Sequence, residues 1–376
     1  MNRSRVAVIA GVTAIGLAAL GSAALADPDT NNPGTYISTS SPLVAGVGAD
    51  ADAELIDHVA GTYDAQNPAP AQLLESYDAV NPLTGVAGET VQTKPGCSLA
   101  RPNGANKGIS VLMNNTKSTT DSTQFCVDFA RSSRAKKTDG TEAGLTFWEF
   151  APDAVTWATV GTAYAPRTPL TPSQLQGIFT CQITDWSDVG GQPGEIHVYQ
   201  PPTTAGTYTF FLQAIGTDVA TVTTDCSGAS NVFPTQQNDG TKLLADPQGI
   251  APYSVSKWAG QKNASDAGVT GINDLRGGAA LGLWTDATAP TEINSTLGTS
   301  YTVLNPAFGA GSGRPGRFLY NVTRGGTTPS NIPAWADSIL GTGGYICTNE
   351  DQLLIPFGTT PLGTDTGQSH YCGQQF

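Results

Sequence analysis

The chain has 376 residues, 13% of them charged and 39% hydrophobic, with 44 glycines, 25 prolines and a formal net charge of −13. So acidic a protein has nothing to offset repulsion from nucleic acid or an anionic membrane surface, and both are excluded as natural partners. The length suits two ordinary domains better than one, and apolar residues spread along the chain in short runs exclude wholesale disorder.

Residues 1–26 read as a secretory signal. Arg3 and Arg5 precede an apolar run, 6–20, too short for a comfortable membrane span, and Ala24-Leu25-Ala26 forms a small-residue cleavage site. The mature chain is expected to begin at Asp27 and to be secreted, with 16 basic against 31 acidic residues. No cysteine lies near the cleavage site, so no lipid anchor is expected. Residues 27–42 are expected to form a flexible lead, with order beginning at Leu43.

The segment 43–47 is a small apolar run that predicts a strand. Gly48 turns the chain, and Asp50 can cap a helix carrying Leu55, Ile56 and Val59 on one face. A second unit runs from Cys97 through the loop 101–108 into Ile109, Val111 and Leu112. A third places a strand over 125–129, followed by the loop Ala130-Arg131-Ser132-Ser133-Arg134. Three units thus put short polar loops where an α/β sheet has its carboxyl edge, the usual place for ligands. The strand-like runs 145–150 and 154–160 then carry the chain out of this block.

Thr171-Pro172-Ser173-Gln174 is a helix start, with threonine at the cap, proline first in the helix and glutamine three after the threonine. Further on, 196–199 alternates like a strand, 200–206 is broken by glycine and proline, and 207–214 has helical spacing. The first turn of such a helix leaves N–H groups unpaired at the positive end of its dipole, so Thr203, Thr204, Gly206 and Thr207 can cradle an anion. A capped helix after a turn accounts for the same residues. Residues 249–255 predict a late strand returning to the first block, and 260–313 is too irregular to read.

The six cysteines, 97, 126, 181, 226, 347 and 372, are an even set in an exported chain, without CxxC or Cys/His spacing, so disulfides are expected rather than zinc. Fifteen pairings are possible. Nearest neighbours, Cys97–Cys126, Cys181–Cys226 and Cys347–Cys372, keep each pair within one block. His58, His197 and His370 lie in unrelated segments, and no GxSxG, HExxH or Walker sequence is present, so neither catalysis nor a cofactor is expected. Asp50, Asp52, Glu54 and Asp57 lack the calcium-loop spacing and read as a solvated acidic helix start, with no metal. The tryptophans are core residues, Trp148 being the one placed to line a cleft.

Taken together, GVGADADAEL, RPNGANKGI, CVDFARSSR, LTPSQLQGIFTCQITDWSDVGG, TTAGTYTFFLQAIG and GIAPYSVSKWAGQ resemble, in order, the periplasmic-type phosphate-binding proteins of ABC transporters, especially exported forms from high-GC Gram-positive bacteria. RFLYNVTRGG and GTGGYICTNED fit more loosely. The resemblance implies a two-lobed α/β fold of periplasmic-binding-protein type II, closing on phosphate or a related oxyanion in a cleft, with an ABC permease as partner. It implies a division into lobe 1 over 43–157, lobe 2 over 158–248 and a return to lobe 1 with a C-terminal extension over 249–376, in a monomer that is not an enzyme. Carried over by position, the ligand loops fall at Asp50 and Ala51, at Ala105 and Asn106, at Arg131, Ser132, Ser133 and Arg134, and at Thr204, Ala205, Gly206 and Thr207.

Gly206 and Thr207 agree with that family, but Asp50 and Ala105 stand where it offers threonine and serine. Pro201 replaces its arginine, and Ser133 replaces the aspartate that accepts the phosphate proton. Arg131 or Arg134 is expected to supply the missing charge. The alternative reading is a secreted or surface interaction protein that keeps the fold with a degenerate site.

Overall fold

The computed structural model describes residues 27, 35–36, 43–68, 72–161, 163–166, 168–284, 291–294, 300–305, 307, 315–326 and 329–376. The signal segment 1–26 lies outside them. In chain order the strands are β1 (Leu43–Gly48), β2 (Leu73–Ser76), β3 (Thr90–Lys94), β4 (Cys97–Ala100), β5 (Phe129–Ser132), β6 (Leu145–Val160), β7 (His197–Gln200), β8 (Val232–Pro234), β9 (Gly249–Ser254), β10 (Ala279–Leu281), β11 (Thr291–Asn294), β12 (Ser300–Val303) and β13 (Gly316–Arg324). The helices that matter for the site are α1 (Ala53–Gln66), α2 (Ala105–Met113), α3 (Pro172–Phe179) and α4 (Gly206–Ala214).

One mixed sheet runs in the order β2-β1-β5-β13-β6-β9-β7-β8, with β10 also on β6. The strand β6 joins its halves. Residues 145–154 pair antiparallel with β13, and 155–158 pair antiparallel with β9. The two apolar runs expected there are therefore one continuous strand, and Asp153 sits inside it, buried.

Two large cores lie to either side. One gathers Leu55, Ile56, Phe129, Trp148 and Leu319. The other gathers Leu175, Phe179, Trp186, Val198, Phe211 and Trp284. This is the two-lobed α/β architecture. Ile250 of β9 packs in the second core.

Local chemistry explains most elements. Thr171 caps α3 with a full capping box, its hydroxyl accepting from the Gln174 N–H, as its sequence predicts. The expected strands at 43–47, 196–199 and 249–255 are β1, β7 and β9. Three expectations change. The strand expected over 125–129 begins only at Phe129, because Asp128 accepts from the Ala45 N–H and pins the entry to β5. The strand of the second unit, β4, pairs with β3 in a separate two-stranded sheet. Trp148 lines no cleft, since it is fully buried and its indole N–H donates to Thr323 Oγ1 at 2.9 Å.

All three disulfides join nearest neighbours, as the block argument predicts: Cys97–Cys126, Cys181–Cys226 and Cys347–Cys372. The last ties down a C-terminal tail whose Gln374 and Phe376 carbonyls accept from Glu149 and Phe147 of β6. Replacing Cys347 and Cys372 by serine should cost about 3 kcal/mol, the chain-entropy value for a loop of this length, measured by chemical denaturation. An unchanged midpoint would show the tail to be held by its ladder alone.

Asp27, expected to open a flexible lead, is instead 1% exposed. Its carboxylate is forked by Arg101, Nη1 to Oδ1 at 2.8 Å and Nη2 to Oδ2 at 2.6 Å, and also accepts from the Asp78 N–H at 2.9 Å. Among the described residues no helix is long and apolar enough to cross a membrane.

Candidate functional site

Helix α4 starts at Gly206 with Ala205 at its N-cap and no side-chain cap, so its first-turn N–H groups have no preceding turn to bond. Helix α2 starts the same way at Ala105, after Gly104. The two starts meet Ser133 just past β5. A Cβ placed on Gly206 would lie 2.3 Å from Ser133 Oγ and 3.3 Å from Ala105 Cβ. Gly104 has φ of +103°, and a Cβ there would lie 2.4 Å from the Thr204 carbonyl oxygen, so only glycine permits this approach of the two loops. The structure thus brings together the expected positions 105, 133 and 204–207.

Charge arrives from a residue that sequence reasoning missed. Arg317, at the start of β13, donates from Nε and Nη2 to Asp153 Oδ2 at 2.8 and 2.7 Å, and from Nη2 to Thr207 Oγ1 at 3.0 Å. Asp153 is locked in turn by Ser254 Oγ at 2.9 Å and by Ser256 Oγ at 2.7 Å. The remaining edge, Arg317 Nη1, is buried and has no protein partner. Ser133 Oγ is in the same condition. So are both carboxylate oxygens of Asp52, the N-cap residue of α1. Burial raises the Asp52 carboxyl from 3.8 to about 7, against the opposing pull of Arg131, Arg317 and Lys257. Unpaired buried polar atoms are expensive, and atoms of both signs beside a helix N-terminus suit a ligand that offers acceptors and a proton.

Arg131 and Arg134, expected as the cations, are committed elsewhere. Arg131 donates to the Ala49 carbonyl, Ser76 Oγ and the Tyr77 carbonyl, bracing β1 and β2, and burial lowers its pKa. Arg134 pairs with Glu142, and its Nε donates to Asn106 Oδ1 at 2.7 Å, which occupies the Asn106 carbonyl oxygen as well. Ser132 Oγ donates to the Arg134 carbonyl. Asp50 does not cap α1, because the cap position belongs to Asp52. Its Oδ2 accepts from Asn238 Nδ2 at 2.9 Å, and its carbonyl accepts from Lys257 Nζ. Lys257 also pairs with Glu54, so the acidic start of α1 is largely withdrawn from solvent, with Glu54 compensated and Asp52 left unpartnered. Ala51 lines a cavity of about 10 Å³ with Glu54, Ser256 and Lys257, room for one water, and neither Ser133 nor Thr207 reaches it.

The loops close over the site. Thr204 Oγ1 donates to the Asn103 carbonyl at 3.1 Å, and Asn103 Nδ2 donates to Gln236 Oε1 at 2.9 Å. Asn103 and Gln236 were not singled out in the sequence, which carries no signal for pairs this distant.

A family model described as a PBP superfamily domain matches residues 38–326. The chain belongs to the PBP superfamily. Among solved structures, a phosphate ABC transporter substrate-binding protein with bound phosphate from Clostridium perfringens aligns with a TM-score of 0.54 at 16% identity, covering 85% of this chain and 98% of its own. An ABC-type phosphate transport receptor from Vibrio cholerae aligns with a TM-score of 0.45 at 16% identity, over 75% of this chain and 87% of its own. At 16% identity the first of these likenesses concerns the fold. No curated protein matches the sequence.

Gly206→Ala should weaken anion binding at least about tenfold, because the new methyl displaces the Ser133 hydroxyl, while overpacking costs about 1–3 kcal/mol of stability. Calorimetric titration beside chemical denaturation checks both, and an unaltered affinity would remove Ser133 from the site.

Proposed function

We propose that the protein is a secreted solute receptor, not an enzyme, that binds phosphate or a related protonated oxyanion between its lobes. The observation that carries this reading is a set of buried groups without protein partners: Ser133 Oγ beside Gly206, Nη1 of the Arg317 guanidinium that reaches Thr207, and the Asp52 carboxylate, on which the Arg317 charge acts. In this reading Gly206 and Thr207 donate N–H groups to the anion, Ser133 donates its hydroxyl, and Arg317 supplies the charge. Asp52 accepts the proton that phosphate carries at neutral pH and sulfate does not. Ala105 and Asn106 line the site through the α2 start, Ala51 and Asp50 through the α1 start, and Arg131, Ser132 and Arg134 brace it.

The proton-accepting carboxylate and the arginine that the third and fourth loops lack are thus supplied by Asp52 and Arg317, from elsewhere in the chain. The fold relative named as a phosphate ABC transporter substrate-binding protein with bound phosphate supports the ligand class and suggests an ABC permease as partner. We place the exchange between lobes at β6 and near β9, close to the expected boundaries at 157 and 248, and cleavage after Ala26. Calorimetric titration of the mature protein with phosphate and sulfate tests the reading, with phosphate expected to bind the more tightly. If neither anion binds, the fold serves protein interaction instead.

A further inference from the structure

On the loop that leads to Asn103, Arg101 holds the first residue expected of the secreted chain in a built position. Asp27 is held by the Arg101 fork and the Asp78 N–H, and Arg101 Nη1 also donates to the Asp78 carbonyl at 2.9 Å. Arg101 itself is 2% exposed, and its Nε is buried without a partner. The groups facing this pocket are mostly acidic. Asp57 from α1 and Asp78 after β2 lie around it, and among the described residues Arg101 and Arg131 are the cations set against these two; nearby, Glu75 of β2 accepts from the Tyr77 hydroxyl at 2.7 Å. Arg131 is shared with Asp50 and Asp52.

We propose that cleavage after Ala26 completes this buried cluster: the new α-ammonium of Asp27 docks beside Asp57 and Asp78 while its carboxylate stays in the Arg101 fork. The inference rests on the cleavage position given under the proposed function. Before cleavage the residue 27 nitrogen is a neutral amide, and the pocket is short of positive charge. Cleavage turns the same atom into a cation where it is needed, so the mature fold gains stability that the precursor lacks. Burial and the Asp27 charge raise Asp78 to about 8, and burial with the Asp78 and Asp27 charges raises Asp57 well above the usual carboxylate range, in keeping with a pocket short of positive charge.

The test compares two chains that differ only at the front. One is released from a fusion by a protease that leaves Asp27 first with a free amine, and the other keeps Gly-Ser ahead of Asp27. The free-amine chain is expected to melt at least about 3 °C higher. The gap should vanish when both carry Asp27→Ala, which removes the anchor that places the amine. Equal melting of the two wild-type chains, or a gap that survives Asp27→Ala, overturns the proposal. N-terminal sequencing of secreted protein answers separately for the cleavage position, and a first residue other than Asp27 overturns that reading whatever the melting shows.

Discussion

Arg317→Ala should reduce phosphate affinity more than a hundredfold and destabilise the fold by about 3–5 kcal/mol. The affinity loss follows from removing the cation that the site reading places on the ligand, in a chain whose other nearby arginines are committed to protein groups. The stability loss follows from Asp153, which stays buried with serine donors and no countercharge. Arg317→Lys separates the two effects. A lysine ammonium can still face Asp153 and recover part of the stability, but it cannot also present the Nη1 edge to an anion. Binding should therefore remain poor while the denaturation midpoint rises. If Arg317→Lys binds phosphate like the wild type, the guanidinium is not a ligand group.

Asp52→Asn should move stability and binding in opposite directions. The folded carboxyl titrates at about 7 rather than 3.8, so below about pH 4 it is protonated in both states and costs nothing. As pH rises from 4 to 7 the unfolded chain loses this proton first, and stability falls, reaching a plateau above 7. At 1.36 kcal/mol per unit the total is on the order of 4 kcal/mol. Asparagine removes that slope, so at pH 8 the unliganded variant should be the more stable protein. Phosphate binding should fall at least about tenfold, because the amide lacks the charge that draws the ligand proton, and the preference for phosphate over sulfate should shrink. Denaturation at pH 5 and pH 8, with titrations of both anions, checks this. A variant that gains no stability at pH 8 would mean that Asp52 is already compensated.

What the sequence made legible was local. The capping box at Thr171, the three cysteine pairs, and the strand and helix on either side of residues 200–206 each depend on neighbours a few turns or one block away. The fold class could be read because such units recur in order. The site was half legible. Gly206 and Thr207 advertise a helix start, whereas Arg317 lies 164 residues from Asp153 and 110 from Thr207, and it acts only because β13 is laid between β5 and β6. One signal was present. A single aspartate inside the apolar run of β6 has to be paired when buried, and Arg317 is the matching cation on a later strand. Arg131 and Arg134 misled for a related reason: a guanidinium beside a loop looks free until the carbonyls and carboxylates it faces are known.

The shared strand β6 has a mechanical consequence. Because it runs unbroken from one lobe into the other, opening and closing must flex or twist this rod, since sliding would tear its ladders. Its pairing passes from β13 to β9 between Ala154 and Val155, immediately after Asp153. In the proposed reading, an anion that draws on Arg317 would therefore pull, through Asp153, at the fulcrum itself. On the proposed site, cargo held there would exert little leverage of its own but would stiffen the pivot, and the contacts of Asn103 with Thr204 and Gln236 would serve as the latch.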